Sequence, residues 1–221
     1  MIKAVIFDID DTFSLTEAVC FEVENEVLRR MGLPPMSREI HLATWEMRPS
    51  EAIPLRSAGV DVATFYALYE NLLAEYIEAD RLDVIPDENY KALDQLTDLG
   101  MALMVLTSRP HDRVQHMLQP EHRLARKIKD LRYRNNTKFR KPDPRAFDEL
   151  LHGASLSPEH CVYVGDAVRD ATAAKKAGLY FIATLESGLR QRGDFDGVPV
   201  DMFIDKFPDV VSAVMRLESS F

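Results

Sequence analysis

The chain has 221 residues, 46% of them hydrophobic and 29% charged, which suits one large domain, or one domain carrying an insert, with a real core. Its net charge of −9, from 27 basic and 36 acidic residues, argues against a nucleic-acid binder that relies on a broad basic surface. No apolar run reaches the ~18 residues of a membrane span, the opening MIKAVIF lacks the flanks of a signal peptide, and Cys20 and Cys161 stand apart without a CxxC or CxH pattern, so a cytoplasmic protein with reduced, structural thiols is expected.

The first element is a strand-like run over residues 2–7 that stops at Asp8-Ile9-Asp10-Asp11-Thr12. Two carboxylates about 4 Å apart repel by roughly 4 kcal/mol at a partly screened dielectric. Packing alone gives no reason to end a buried strand this way, whereas a bound cation or a reaction that needs both acids does. Residues 14–86 then read as four successive helices. Thr16 starts the first and Gly32-Leu33-Pro34-Pro35 ends it, Ser37 starts the second, Pro49 the third, which Gly59 terminates, and the fourth follows Asp61 with Phe65, Leu68, Tyr69, Leu72, Tyr76 and Ile77 at helical spacing.

Beyond the insert, strands and helices alternate. Asp87 is expected to cap a helix that Gly100 closes, and a strand over 101–106 ends in Thr107-Ser108-Arg109. Arg140-Lys141-Pro142-Asp143-Pro144 places a lysine ahead of a proline-started helix that stops near Gly153. A buried run over 161–164 ends in Gly165-Asp166, with Asp170 four residues on in a helix closed by Gly178, so the two acids are expected on one helix face. Runs at 179–183 and 202–204 complete the set. Short continuous apolar strands alternating with helices indicate an α/β fold, a parallel sheet flanked by helices on both faces, with residues 14–86 as a helical insert and 1–13 with 87–221 as the core.

In a parallel sheet the ends of the first and 161–164 strands meet, and that is where open α/β sheets bind ligands. Asp8, Asp10, Asp166 and Asp170 gathered there would favour a hard divalent cation such as Mg²⁺. Taken alone, a hydroxyl such as Thr107 or Ser108 is more often a helix cap than a phosphate ligand, and a lone loop lysine such as Lys141 is usually solvated. Taken together, the acids, the hydroxyls and the lysine meet the needs of phosphoryl transfer: a nucleophile, a proton donor, and positive charge to hold phosphate oxygens beside carboxylates.

The four segments, Asp8-Ile9-Asp10-Asp11-Thr12, Thr107, Lys141-Pro142-Asp143-Pro144 and Gly165-Asp166 with Asp170, resemble in order and spacing the signatures of the haloacid dehalogenase (HAD) superfamily, in its phosphatase branch. The resemblance spans nearly the whole chain and implies a Rossmann-like core with an α-helical cap inserted after the first strand, similar to phosphoglycolate phosphatase and β-phosphoglucomutase relatives. It further implies that Asp8 attacks phosphorus and that Asp10 serves as general acid and then base. Thr107 and Lys141 would hold the phosphoryl group, and Asp8, the Asp10 carbonyl and Asp166, supported by Asp170, would bind Mg²⁺. Asp11 departs from the pattern, since glycine is frequent there. So does the segment from Trp45 to Ser50, which resembles the family's specificity loop without its usual glycine. Ser108, Arg109 and Arg48 are candidate substrate ligands, Arg48 and Arg109 reading equally as surface charges.

The expected activity is Mg²⁺-dependent hydrolysis of a small phosphorylated metabolite by a monomer or homodimer, without nucleic-acid or membrane partners. A phosphomutase of the same superfamily would keep every residue named. A dehalogenase has no need of Asp10, and a receiver domain would leave residues 14–86 without purpose. A non-catalytic phospho-signalling or interaction protein is the reading from another class.

Overall fold

The computed structural model describes residues 1–45, 47 and 49–219, the side chain of Pro49 excepted. Arg48 lies outside the described residues. Contacts divide the chain into two compact units, Leu15–Val84 and Met1–Ser14 with Ile85–Phe221.

The larger unit is a six-stranded parallel sheet of β1 (Ala4–Phe7), β2 (Ala102–Leu106), β3 (Asp130–Arg132), β4 (Cys161–Gly165), β5 (Tyr180–Thr184) and β6 (Met202–Ile204), in the order β3-β2-β1-β4-β5-β6. It is an α/β, Rossmann-like fold. Every residue of β1 is buried, because the two faces of the sheet carry separate cores. Val5 and Phe7 point into one, with Leu93, Leu96, Val162, Val164, Phe207 and Val214, and Ala4 and Ile6 into the other, with Phe147, Leu150, Tyr163, Ala171 and Phe181. That alternation on a doubly covered strand is why the sequence reads as a continuous apolar run instead of a period of two.

The order places β1 between β2 and β4, so the chain leaves the sheet's first strand at the point where strand order reverses, the usual ligand site of such sheets. The turn after β1 is held firmly. The N–H groups of Phe13 and Ser14 both donate to the Ile9 carbonyl, at 3.0 and 2.9 Å, and the Asn89 amide donates to the Phe13 carbonyl at 2.9 Å. The Phe13 ring sits 5.2 Å from Phe7 and 5.3 Å from both Tyr90 and Phe207, so four aromatic side chains pin the turn from below.

Two sequence expectations need correction. Strand β3 is a sixth strand that the apolar pattern does not reveal. The helix expected to be capped by Asp87, α5 (Asp87–Asp98), has Pro86 at the cap position and no side-chain cap; Asp87 is its first helical residue and favours the helix through its charge. The remaining helices of this unit are α6 (Asp148–Ala154), entered through a short 3₁₀ turn over Pro144–Phe147, α7 (Val168–Ala177) and α8 (Val210–Glu218).

The smaller unit contains α1 (Thr16–Arg30), α2 (Arg38–Ala43), α3 (Pro49–Arg56) and α4 (Val62–Glu78). Ser37 and Asp61 cap α2 and α4 by accepting from the N–H groups of Ile40 and Thr64, and the Leu15 N–H donates to the Val84 carbonyl at 3.1 Å, joining the two ends of the unit. Val23, Val27, Leu28, Ile53, Phe65, Leu72 and Leu73 form its apolar core.

Beside that core lies a buried ionic network. Arg56 donates through Nη1 to both oxygens of Glu24, at 2.7 and 2.6 Å, and through Nε and Nη2 to the Thr44 hydroxyl and carbonyl, at 2.8 and 3.0 Å. The fully buried His41 sits between Glu24, 3.1 Å from Nδ1, and Glu17, 2.9 Å from Nε2, and Arg38 closes the far side of Glu17. Burial pushes the His41 pKa down, but the hydrogen bonds to Glu17 and then Glu24 outweigh it, and the net direction is upward from 6.5. A raised histidine pKa gives stability that is fully present below the unfolded value and lost as pH rises through the folded one. The melting-temperature gap between wild type and His41→Gln should therefore be widest below about pH 6.5 and narrow as pH rises above it. A gap independent of pH would show that His41 stays neutral in the network.

Candidate active site

Asp8 follows β1 directly and its side chain is only 3% exposed. Its N–H donates to the Val164 carbonyl of β4 at 3.0 Å, and its Oδ1 accepts the Ile9 N–H at 2.9 Å, so both backbone and carboxylate are fixed by the strand end. Asp10 is more open, 31% exposed, and its Oδ1 accepts from Nε and Nη2 of Arg109 at 2.9 and 2.7 Å. Between them and the chain's exit lies Asp11, with φ of 54°. Glycine is at ease in that left-handed region, and aspartate is one of the few other residues that tolerates it. The departure from glycine therefore leaves the turn intact.

After β2, the Thr107 N–H donates to the Arg132 carbonyl of β3 at 2.9 Å, and its hydroxyl oxygen accepts the Arg109 N–H at 3.2 Å. The unforeseen short strand thus supports Thr107. Ser108 is half-buried, with its carbonyl accepting from Arg134 Nε at 3.0 Å, and it lines a small cavity with Thr107 and Lys141. Arg109 is 6% exposed and turned onto Asp10. The sequence leaves substrate ligand or surface charge open for that arginine, and the contact with Asp10 is a third arrangement.

Lys141 is 2% exposed. Its ammonium lies 2.8 Å from Asp8 Oδ2, 2.8 Å from Asp170 Oδ1 and 2.7 Å from the Tyr163 hydroxyl. The loop that delivers it ends where Asp143 accepts the Arg145 N–H at 3.0 Å and opens the following 3₁₀ turn, and the Lys141–Pro142 peptide bond is cis. Tyr163 escaped sequence reading. The available signal was a phenol inside an otherwise aliphatic buried strand, which must find a polar partner.

The last two acids converge by a different route from the expected shared helix face. Asp166 lies ahead of α7, which begins at Val168. Asp170 sits in the first turn and folds back, its Oδ2 accepting the Ala167 N–H at 3.2 Å. A Cβ at position 165 would lie 2.7 Å from Asp170 Oδ2 and 2.8 Å from its Cβ, so only glycine lets the carboxylate settle over the strand end.

Asp8, Asp166 and Asp170, all buried, offer oxygens within 4.8 Å of one another. The Asp10 carboxylate is not among them. Burial raises the Asp8 pKa, with Lys141 opposing and Asp170 and Asp10 assisting. Asp166 is raised further, by burial and then by Asp170, Asp8 and Asp11. Lys141 is pushed down by burial, but Asp170 and Asp8 more than restore it. One ammonium among three carboxylates leaves negative charge uncompensated, and the least compensated group is Asp166, the one Lys141 does not touch. An all-oxygen donor set with an excess of charge fits a hard divalent cation. Mg²⁺ should therefore raise the melting temperature of wild type measurably, while Asp166→Asn should melt higher than wild type in chelator and lose most of the Mg²⁺ response. An unchanged response in that variant would place the cation elsewhere.

A cavity of about 1050 Å³ lies in the helical unit, lined by residues such as Phe21, Leu33, Leu72 and Tyr76, and holds none of these acids. Among the described residues no helix is long and apolar enough to cross a membrane.

The family model described as haloacid dehalogenase-like hydrolase matches residues 5–184. Among curated proteins, the phosphoglycolate phosphatase of Rhodobacter capsulatus is 26% identical, over 84% of this chain and 85% of the relative. The glyceraldehyde 3-phosphate phosphatase of Methanopyrus kandleri is 27% identical, over 98% of this chain and 99% of the relative. Among solved structures, a putative β-phosphoglucomutase from Thermotoga maritima superposes with a TM-score of 0.80 at 20% identity, covering 98% of this chain and all of that one, a likeness of fold.

Proposed function

Since the chain belongs to the haloacid dehalogenase-like hydrolases, we propose that it is a Mg²⁺-dependent phosphatase that hydrolyses a small phosphate monoester through an aspartyl phosphate on Asp8. The single observation that carries this reading is the buried Lys141 ammonium, hydrogen-bonded to Asp8 and ion-paired with Asp170, with Asp166 alongside. Phosphatases among the curated relatives, acting on phosphoglycolate and glyceraldehyde 3-phosphate, support the substrate class.

In this reading an Asp8 oxygen attacks phosphorus while the ester oxygen leaves and takes a proton from Asp10. Water then attacks the same phosphorus, Asp10 recovers the proton, and the P–O bond to Asp8 breaks to release inorganic phosphate. The two Arg109 bonds to Asp10 both go to Oδ1, and in this reading Oδ2 carries the proton. The Thr107 hydroxyl and Lys141 hold the phosphoryl oxygens. Asp8, Asp166, Asp170 and the Asp10 carbonyl would hold Mg²⁺, which when bound supplies positive charge against the dianionic phosphate.

Hydrolysis of p-nitrophenyl phosphate should be lost in excess EDTA and restored by Mg²⁺; full activity in chelator would refute the proposal. Asp8→Asn should remain folded and lose well over ~10-fold in turnover, more than about 1.4 kcal/mol of transition-state stabilisation. Asp10→Asn should depend on the leaving group, with small losses on p-nitrophenyl phosphate, whose phenolate needs little protonation, and larger ones on phosphoglycolate or glyceraldehyde 3-phosphate. Equal losses would remove Asp10 from the proton-transfer role. Release of inorganic phosphate from those two metabolites, followed against the appearance of an isomeric phosphate ester, separates hydrolase from mutase.

A further inference from the structure

We infer that Tyr163 is a positioning residue for the reaction, anchoring the Lys141 ammonium from the floor of the site through an uncharged acceptor; this rests on the reading of Lys141 as the phosphate-holding lysine. Tyr163 lies in mid-β4, opposite Ile6 of β1, and is fully buried. Phe147 meets its ring edge-on at 4.9 Å, and Phe181 lies 6.2 Å away. In such surroundings a phenol without partners is costly, and a phenylalanine would pack as well.

The hydroxyl has two partners, 2.7 Å to Lys141 Nζ and 3.1 Å to the Leu106 carbonyl. Their polarities are fixed by chemistry. An ammonium has no lone pair and a carbonyl has no proton, so the phenol must donate to Leu106 and accept from Lys141. A lysine has three N–H groups, and here they have three short contacts, Asp8, Asp170 and Tyr163. The first two partners belong to the carboxylate cluster that the proposed chemistry engages, Asp8 as nucleophile and both as cation ligands. Of these three, Tyr163 is the one outside it, and the Leu106 carbonyl, also outside it, stands farther from Nζ at 3.4 Å; the short contact with Tyr163 persists while the carboxylates are exchanged. It also adds no charge to a site already rich in carboxylates. Through Leu106, the residue before Thr107, the same phenol ties the lysine to the strand end that carries the other phosphate-holding group.

The test is a double-mutant cycle read on two quantities, turnover of p-nitrophenyl phosphate and the inhibition constant of inorganic phosphate. Tyr163→Phe should lower kcat by about 10-fold, equivalent to about 1.4 kcal/mol, and raise the phosphate inhibition constant several-fold. In a Lys141→Ala background both effects should shrink below about twofold, because the phenol then has no ammonium to position. Wild-type values in Tyr163→Phe, or losses of equal size in both backgrounds, would overturn the inference. Should Tyr163→Phe not fold, 3-fluorotyrosine placed at position 163 keeps the ring and hydroxyl while weakening the oxygen as an acceptor. The Lys141 ¹⁵Nζ resonance, assigned by its loss in Lys141→Ala, should then shift, and an unmoved resonance would overturn the inference. Absence of phosphatase activity in wild type would defeat the functional proposal instead, and the resonance would still decide the role of Tyr163.

Discussion

One buried ammonium facing three buried carboxylates governs the organisation of the larger unit. Charges of like sign, withdrawn from water at the ends of β1 and β4, repel strongly, and each must be held in place by something other than mutual attraction. The surrounding architecture supplies those restraints. Backbone N–H groups of Ile9 and Ala167 each bind one carboxylate, four aromatic rings fix the turn beneath Asp8, and Gly165 yields its side-chain volume to Asp170. The resulting site holds an excess of negative charge that fits a divalent cation.

Much of this was legible in the sequence. Runs such as Val5-Ile6-Phe7 and Cys161-Val162-Tyr163-Val164 announce doubly covered strands, and acids placed at their ends have no role in packing. Strand β3 was not legible, because only Leu131 of its three residues is buried and the flanking Asp130 and Arg132 read as loop. Spacing correctly paired Asp166 with Asp170 but for the wrong reason: the two meet through a carboxylate folded back on a helix start, not along one helical face. Arg109 shows a different limit. A sequence identifies a cation near an anion site without telling whether it faces the substrate or a neighbouring acid, and here Asp10 is one of its partners.

The helical unit marks where sequence reading ran out. Glu24, His41 and Arg56 stand far apart along the chain, in α1, α2 and α3, and look there like ordinary surface charges. Only the fold reveals that they meet away from water. Replacing such a network with apolar residues is often neutral or stabilising, while removing one member leaves an orphan charge at a cost of about 3–5 kcal/mol. Its members are thus mutually dependent, and Thr44, gripped twice by Arg56, ties that dependence to the end of α2.

The hydrogen bond from Leu15 to Val84 means that the polypeptide enters and leaves the helical unit side by side. A module whose two ends meet behaves as a cassette, since its excision leaves a gap that a short turn can bridge and its replacement asks only that the newcomer's termini be equally close. Strand β1 and its acids precede the splice, and every other strand of the sheet comes after it. The catalytic sheet and the helical module are accordingly free to diverge at different rates, with selection on one leaving the folding of the other largely undisturbed.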